Sequence, residues 1–211
     1  AILATSIAED MNLSKVISFD MGGTTAKITI IENKKAIKAR EFEVDRKARF
    51  KKGSGYPLRI PVIEMVEIGA GGGSIARVNK LEQIITGPDS AGSFPGPACY
   101  SNGGSMPTIT DADLVIGKIN PDNFAGGKIK LSKQLADIAI TENIVKFVNI
   151  DTNIAALAIS EIVDETMSNA ARVHTVEQGH ETSNRTLIAF GGAAPLHIAR
   201  VAEKLRVSKV I

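Results

Sequence analysis

Val16-Ile-Ser-Phe-Asp-Met-Gly-Gly-Thr-Thr-Ala-Lys-Ile-Thr-Ile-Ile31 decides the reading of this chain. An apolar-rich run (Val16, Ile17, Phe19) reaches Asp20, the chain turns over Gly22 and Gly23, and a β-branched run from Ile28 to Ile31 carries it back. Such residues suit a pleated, half-buried strand, and the glycine pair between them marks a hairpin. The turn presents bare backbone amides beside one carboxylate, Asp20, and two hydroxyls, Thr24 and Thr25. Amides with no side chain in the way can converge on a phosphate, and Asp20 is placed to hold Mg²⁺ directly or through water. An ordinary hairpin with a glycine turn satisfies the same stretch.

Working outward, Ala1 to Leu13 opens in a helix-like apolar pattern without a cap, expected to pack on the sheet. Lys35 to Val44 alternates apolar and polar residues, which predicts a third strand extending the hairpin. Arg46 to Arg59 is basic and glycine-punctuated: a solvated loop, or a patch for phosphate or RNA. Arg59 to Ile68 reads as a strand broken by Pro61, either an edge strand or one that starts late.

Ile68-Gly-Ala-Gly-Gly-Gly-Ser-Ile-Ala-Arg-Val78 then places four glycines in five residues. The spacing is not that of a dinucleotide fingerprint. Each glycine costs about 0.5–1 kcal/mol of backbone entropy, so a flexible turn or a close approach of backbone to a ligand is expected around Gly71, Gly72, Gly73 and Ser74. Gly87 to Thr110, rich in glycine and proline, reads as a folded Ω-like excursion. Asp111 and Asp113 follow it, either sharing a strand face or standing as cap and first-turn residue of a helix, with metal binding or base chemistry open to them.

Leu131 to Val148 and Asp151 to Val173 carry apolar residues at helical spacing (Leu135, Ile138, Val145; Ile154, Ala158, Ile162), with Asp151 as N-cap. Thr186 to Phe190 predicts a buried strand, Gly191 to Pro195 a tight turn and Leu196 to Leu205 a helix. Such a unit brings backbone N–H groups and the positive end of a helix dipole to one spot. His197 either reaches a ligand there or is a buried structural histidine. Val207 to Ile211 reads as a buried strand. Both termini look cut, as if the chain were a fragment of a longer one.

Composition narrows the classes. A net charge of +2 gives no support to a nucleic-acid partner, and no apolar run approaches the length of a membrane span. One cysteine, Cys99, excludes an intrachain disulfide framework and fits a reducing compartment; with no histidine near it in sequence it reads as a buried thiol. No secretory pattern opens the chain, so a cytoplasmic protein is expected. Residues 1–211 are expected to form a single α/β lobe, with 46–130 an elaborated insertion.

The order of these parts resembles the second lobe of the actin, sugar-kinase and heat-shock ATPase superfold. More specifically, Asp20-Met-Gly-Gly-Thr24, Ile68 to Ala76, Gly87-Pro-Asp-Ser-Ala-Gly92, Pro95-Gly-Pro-Ala-Cys-Tyr100, Pro107 to Asp113 and Ala189-Phe-Gly-Gly-Ala193 together resemble the hydantoinase A family. That family includes N-methylhydantoinase, 5-oxoprolinase and acetone and acetophenone carboxylase subunits. The resemblance implies an actin-like (ribonuclease H-like) lobe, with a mixed sheet, flanking helices and a long Gly/Pro-rich insertion. It implies use of ATP and Mg²⁺ to activate a cyclic amide or a ketone by phosphorylating its carbonyl oxygen, with a non-catalytic actin-like nucleotide-binding lobe as the alternative. It also implies a hydantoinase B-type partner, as subunit or domain, and a preceding N-terminal lobe, without which the chain alone would catalyse little. Asp20, Gly22, Gly23, Thr24 and Thr25 match a phosphate loop, Gly191, Gly192 and Ala193 an adenosine-side turn, and Gly71 to Ser74 the family's own glycine loop. Lys27 stands where the commoner pattern has an acid, which suits phosphate better than metal.

Overall fold

The computed structural model describes residues 1–44 and 53–211. The decisive stretch folds as expected. β1 (Lys15–Met21) and β2 (Ala26–Glu32) pair antiparallel in register from Lys15↔Glu32 to Met21↔Ala26. Alternation then sorts their side chains. Ile17, Phe19, Met21, Ala26 and Ile28 enter the main core, while Val16 and Ile31 turn to the opposite face. That second face is covered by α1 (Ile2–Asp10) through Ala4 and Ala8.

The predicted third strand is broken into pieces. β3 (Lys35–Ala36) follows a turn at Asn33 and Lys34, both at positive φ, and pairs with β2 only at Ile31 and Glu32. β4 (Lys38–Ala39) and β5 (Phe42–Val44) leave the sheet. They pair with β7 (Val62–Ile63) and β6 (Tyr56–Leu58), respectively. The cause is competition for one edge. β8 (Met65–Ile68) occupies β2 from Ala26 to Thr29, so no continuous partner remains for residues 35–44. Half of the stretch 46–59 read as a basic patch or loop, residues 46–52, lies outside the described residues.

β9 (Ser74–Val78) and β10 (Ile84–Ser90) form a separate antiparallel hairpin. The chain then builds α2 (Ile109–Val115), α3 (Lys133–Ile140), a π-helical turn at Thr141–Val145, α4 (Lys146–Val148) and α5 (Thr152–Glu177). β11 (Thr186–Phe190) enters parallel to β1, α6 (Ala194–Leu205) follows, and β12 (Lys209–Val210) pairs parallel with β11. The main sheet therefore runs β12-β11-β1-β2-β3, with β8 also on β2. Asp151 caps α5 as expected, accepting from the Asn153 amide at 2.8 Å.

Two expectations are corrected. Leu135, Ile138 and Ile154 point outward, and the buried stripe of α5 is instead Ala155, Ala156, Ile159, Val163, Met167, Ala170 and Ala171. α5 packs between α2 and α6, and its alanines allow that close approach. The terminal strand β12 is an exposed edge, although Val207 before it is buried. Among the described residues no helix is long and apolar enough to cross a membrane.

Candidate functional site

Backbone hydrogen bonds stitch four separate segments into one wall. The Gly72 and Gly73 amides donate to the carbonyls of Gly22 and Gly23 at 3.0 and 2.7 Å. The Gly72 carbonyl accepts from both the Thr110 amide and its hydroxyl at 2.8 Å, and the Ala193 amide donates to the Met21 carbonyl at 3.1 Å. The hairpin turn, the glycine loop, the start of α2 and the turn before α6 thus meet around a cleft of about 610 Å³. Gly22, Gly23, Gly72, Thr110, Asp113, Gly192 and Ala193 line it.

The glycines divide by what a Cβ would meet. At Gly191 a Cβ would stand 2.2 Å from the Met21 carbonyl oxygen, and φ is +89°. At Gly71 it would stand 2.5 Å from the Thr24 nitrogen. These two let backbone pass against backbone. Gly22, Gly23 and Gly192 have neither a positive φ nor any atom within 4 Å of a built Cβ. Their missing side chains leave open space, so neither crowding nor backbone conformation accounts for glycine there.

Asp111 and Asp113 are separated by the helix that carries both. Asp111 is fully buried at the third position of α2, in a capping box with Thr108. Its carboxylate accepts from the amides of Ala98, Cys99 and Thr108 and from the Thr108 hydroxyl. All its acceptor capacity ties the Gly/Pro-rich excursion to α2, away from the cleft. The Cys99 thiol beside it is pushed up by burial and by the Asp111 charge, which leaves it protonated.

Asp113 lines the cleft and joins a line of charge that runs into the core. His197 Nδ1 lies 2.8 Å from Asp164 Oδ1, and Nε2 lies 3.0 Å from Asp113 Oδ2 without the alignment of a full hydrogen bond. On the other side, Asp113 Oδ1 accepts from the Ser160 hydroxyl at 3.1 Å and stands 3.5 Å from Lys118 Nζ. Burial alone pushes the His197 imidazole down, but the carboxylates of Asp113 and Asp164 held close against its two ring nitrogens outweigh it and carry it up to about 9.

The remaining sequence candidates lie at the margin. Asp20 is exposed at the end of β1, with one oxygen 2.8 Å from where a Gly191 Cβ would sit. Among the described residues no group of three or more histidine, cysteine or acidic residues could hold a metal ion. One carboxylate does suit Mg²⁺, which keeps water and phosphate oxygens as its main ligands. Lys27 faces Asp20 across the hairpin but points to an exposed row, 3.9 Å from Glu67. The Ser74 hydroxyl is spent on the loop, accepting from the Gly71 amide and donating to the Gly69 carbonyl. Thr24 is exposed and Thr25 half-buried beside the turn.

Several lining residues escaped the sequence reading: Lys118, Asn120 and Asn123, with Tyr100 and Phe124 forming a tilted aromatic pair 5.6 Å apart. Asp164 escaped it as well. A signal existed for Asp164, since Ser160, Asp164 and Ser168 recur every four residues on the buried face of α5.

The hydantoinase/oxoprolinase family model matches residues 1–211. The chain is 36% identical to the acetophenone carboxylase gamma subunit of Aromatoleum aromaticum, over 91% of this chain and 25% of that subunit. A nucleotide-free acetone carboxylase structure superposes with a TM-score of 0.87 at 27% identity, over 98% of this chain and 28% of the other. The ATP-dependent caprolactamase of Pseudomonas jessenii gives 0.83 at 33% identity, over 98% and 29%. The chain therefore spans under a third of each. The fold is the actin-like ATPase lobe, with a mixed sheet and flanking helices. The six motifs from Asp20 to Ala193, the wall that four of them build and the match along the entire sequence give one conclusion: this chain belongs to the hydantoinase/oxoprolinase family.

Proposed function

We propose that this chain is the nucleotide-binding lobe of an ATP-dependent enzyme that opens a cyclic amide of the hydantoin, N-methylhydantoin or 5-oxoproline type. The observation that carries the reading is the open space at Gly22, Gly23 and Gly192, three glycines on one cleft that neither crowding nor φ requires. A polyphosphate is the ligand that backbone left without side chains at two turns lets approach closely, although the Gly22 amide itself is held by the Thr25 carbonyl at 3.1 Å. Gly22, Gly23, Thr24 and Thr25 take the phosphates, Gly192 and Ala193 border the nucleoside, and Asp20 serves the Mg²⁺. α6 starts at Ala194 beside the cleft, so its dipole adds positive potential there.

An amide carbonyl is a poor electrophile, and Mg·ATP, when bound, supplies the phosphoryl group that activates its oxygen. The lobe's own residues orient the anion and neutralise its charge, which is most of what such chemistry asks of a protein. The opposite wall comes from further chain of the kind its longer relatives possess, and from a hydantoinase B-type partner. The similarity to ATP-dependent caprolactamase supports the amide substrate. A ketone carboxylase subunit on the same lobe is the second reading, supported by the 36% identity to an acetophenone carboxylase subunit.

The test uses the full-length protein assembled with its partner. ADP release is followed with hydantoin, N-methylhydantoin, 5-oxoproline, caprolactam, and acetone or acetophenone with bicarbonate. Stimulation by a cyclic amide is expected. Stimulation by a ketone with bicarbonate alone replaces the first reading with the second. No ADP release from the folded assembly overturns both.

A further inference from the structure

The line of charge behind the cleft is built from three helices and a loop. Asp164 comes from α5, His197 from α6, Asp113 from α2, and Lys118 from the loop after α2. Asp113, Asp164 and His197 are each no more than 2% exposed. The Lys118 amide donates to the Asp113 carbonyl at 2.8 Å, which ties that loop back onto α2. Its ammonium donates to the Ser160 hydroxyl at 2.8 Å and lines the cleft, partly exposed.

Both ring nitrogens of His197 face a carboxylate oxygen at 3.0 Å or less. A neutral imidazole has only one N–H, so one of its lone pairs would be aimed at an anion; a doubly protonated ring satisfies both sides. With that ring charged, two carboxylates stand against two cations. With it neutral, the wall carries a net negative charge where a polyanion has to bind. Both oxygens of Asp113 are already engaged, by His197 on one side and by Ser160 and Lys118 on the other. Asp113 is therefore poorly placed to take a proton from a substrate and well placed to hold a cation.

We propose that His197 is a positioning residue, clamped between Asp164 and Asp113, that sets the Asp113 carboxylate to present the Lys118 ammonium to a phosphate oxygen of the bound nucleotide. The inference rests on the ATP reading of the cleft. Among the described residues, Asp113 from α2 and Asp164 from α5 are the titratable groups against the ring, and Lys118 lies next beyond Asp113.

The test measures Mg·ADP affinity of the full-length, assembled enzyme by calorimetry, from neutral pH to above 10. Wild type is compared with Lys118→Ala, Lys118→Arg, His197→Gln and the double variant Lys118→Ala/His197→Gln, with thermal midpoints monitoring the fold. Loss of a charged hydrogen bond predicts about tenfold weaker binding for Lys118→Ala, and Lys118→Arg restores most of it. His197→Gln weakens binding in the same direction and adds little in the double variant, because the two act as a unit. Wild-type affinity falls as pH rises through about 9, where the ring loses its second proton. That step stays in place in Lys118→Arg and is absent from His197→Gln.

An unchanged affinity in Lys118→Ala, additive losses in the double variant, or a pH step that moves with Lys118→Arg overturns the inference alone. Failure of the wild type to bind nucleotide overturns the ATP reading and this inference with it. Should His197→Gln not fold, the wild-type and Lys118→Arg pH profiles still decide.

Discussion

Gly191 and Gly192 are neighbours in one turn, yet they are glycine for opposite reasons. Gly191 is wedged, with φ +89° and the Met21 carbonyl where its side chain would be, whereas Gly192 faces open cleft. The same contrast separates Gly71, pressed on the hairpin turn, from Gly22 and Gly23 on that turn's open side. Wedged glycines assemble the wall, and open glycines leave room in the cleft beside it. Sequence gives both the same letter; only the surrounding atoms tell them apart.

Alanine at each kind of site is the sharpest way to break this comparison. Gly191→Ala is expected to destabilise by about 3 kcal/mol or more, since a Cβ there meets backbone and sits at positive φ. Gly22→Ala is expected to leave stability unchanged or raise it by up to about 1 kcal/mol, through a less flexible unfolded chain. It should nevertheless weaken Mg·ADP binding several-fold. Denaturant unfolding and calorimetry on both variants check the pair. Equal destabilisation by the two would erase the distinction.

The buried line of charge differs from the glycine wall in responding to pH. His197 has a folded-state value of about 9, above the ordinary 6.5, so it binds a proton more tightly in the folded chain. Its contribution, on the order of 3 kcal/mol, is full below about pH 6.5 and is lost as pH rises through about 9. Wild-type stability should therefore decline relative to His197→Gln across that window. Parallel stability profiles for the two proteins would show that the ring carries no such charge.

The smallest expected effect belongs to Lys27. Its partner Glu67 is on the exposed row of the sheet, and an exposed pair contributes about 0–1 kcal/mol. Lys27→Ala should change nucleotide affinity by less than about twofold. A tenfold loss would instead return Lys27 to the phosphate site that its place in the motif suggested.

Much of the fold was legible in short-range patterns. The hairpin, the Asp151 cap and the strand-turn-helix from Thr186 to Leu205 depend on alternation, capping chemistry and glycine, all of which act within a few residues. Readings that needed a partner distant in sequence went astray. Residues 35–44 lost their place to β8, and the outward Ile154 hid a buried, alanine-rich stripe that only helix packing selects.

The candidate site shows the same boundary. The sequence by itself determined the glycine turns, the carboxylates entering α2 and the family, because these are local patterns of residue type and spacing. Tertiary structure alone decided that the Asp111 carboxylate, beyond its local capping box, is consumed by the Ala98 and Cys99 amides while Asp113 faces the cleft. It alone brought Asp164 and His197, 33 residues apart, to hydrogen-bonding distance. The physical reason is that a carboxylate's role depends on which donors surround it, and those donors arrive from elements that only packing brings together.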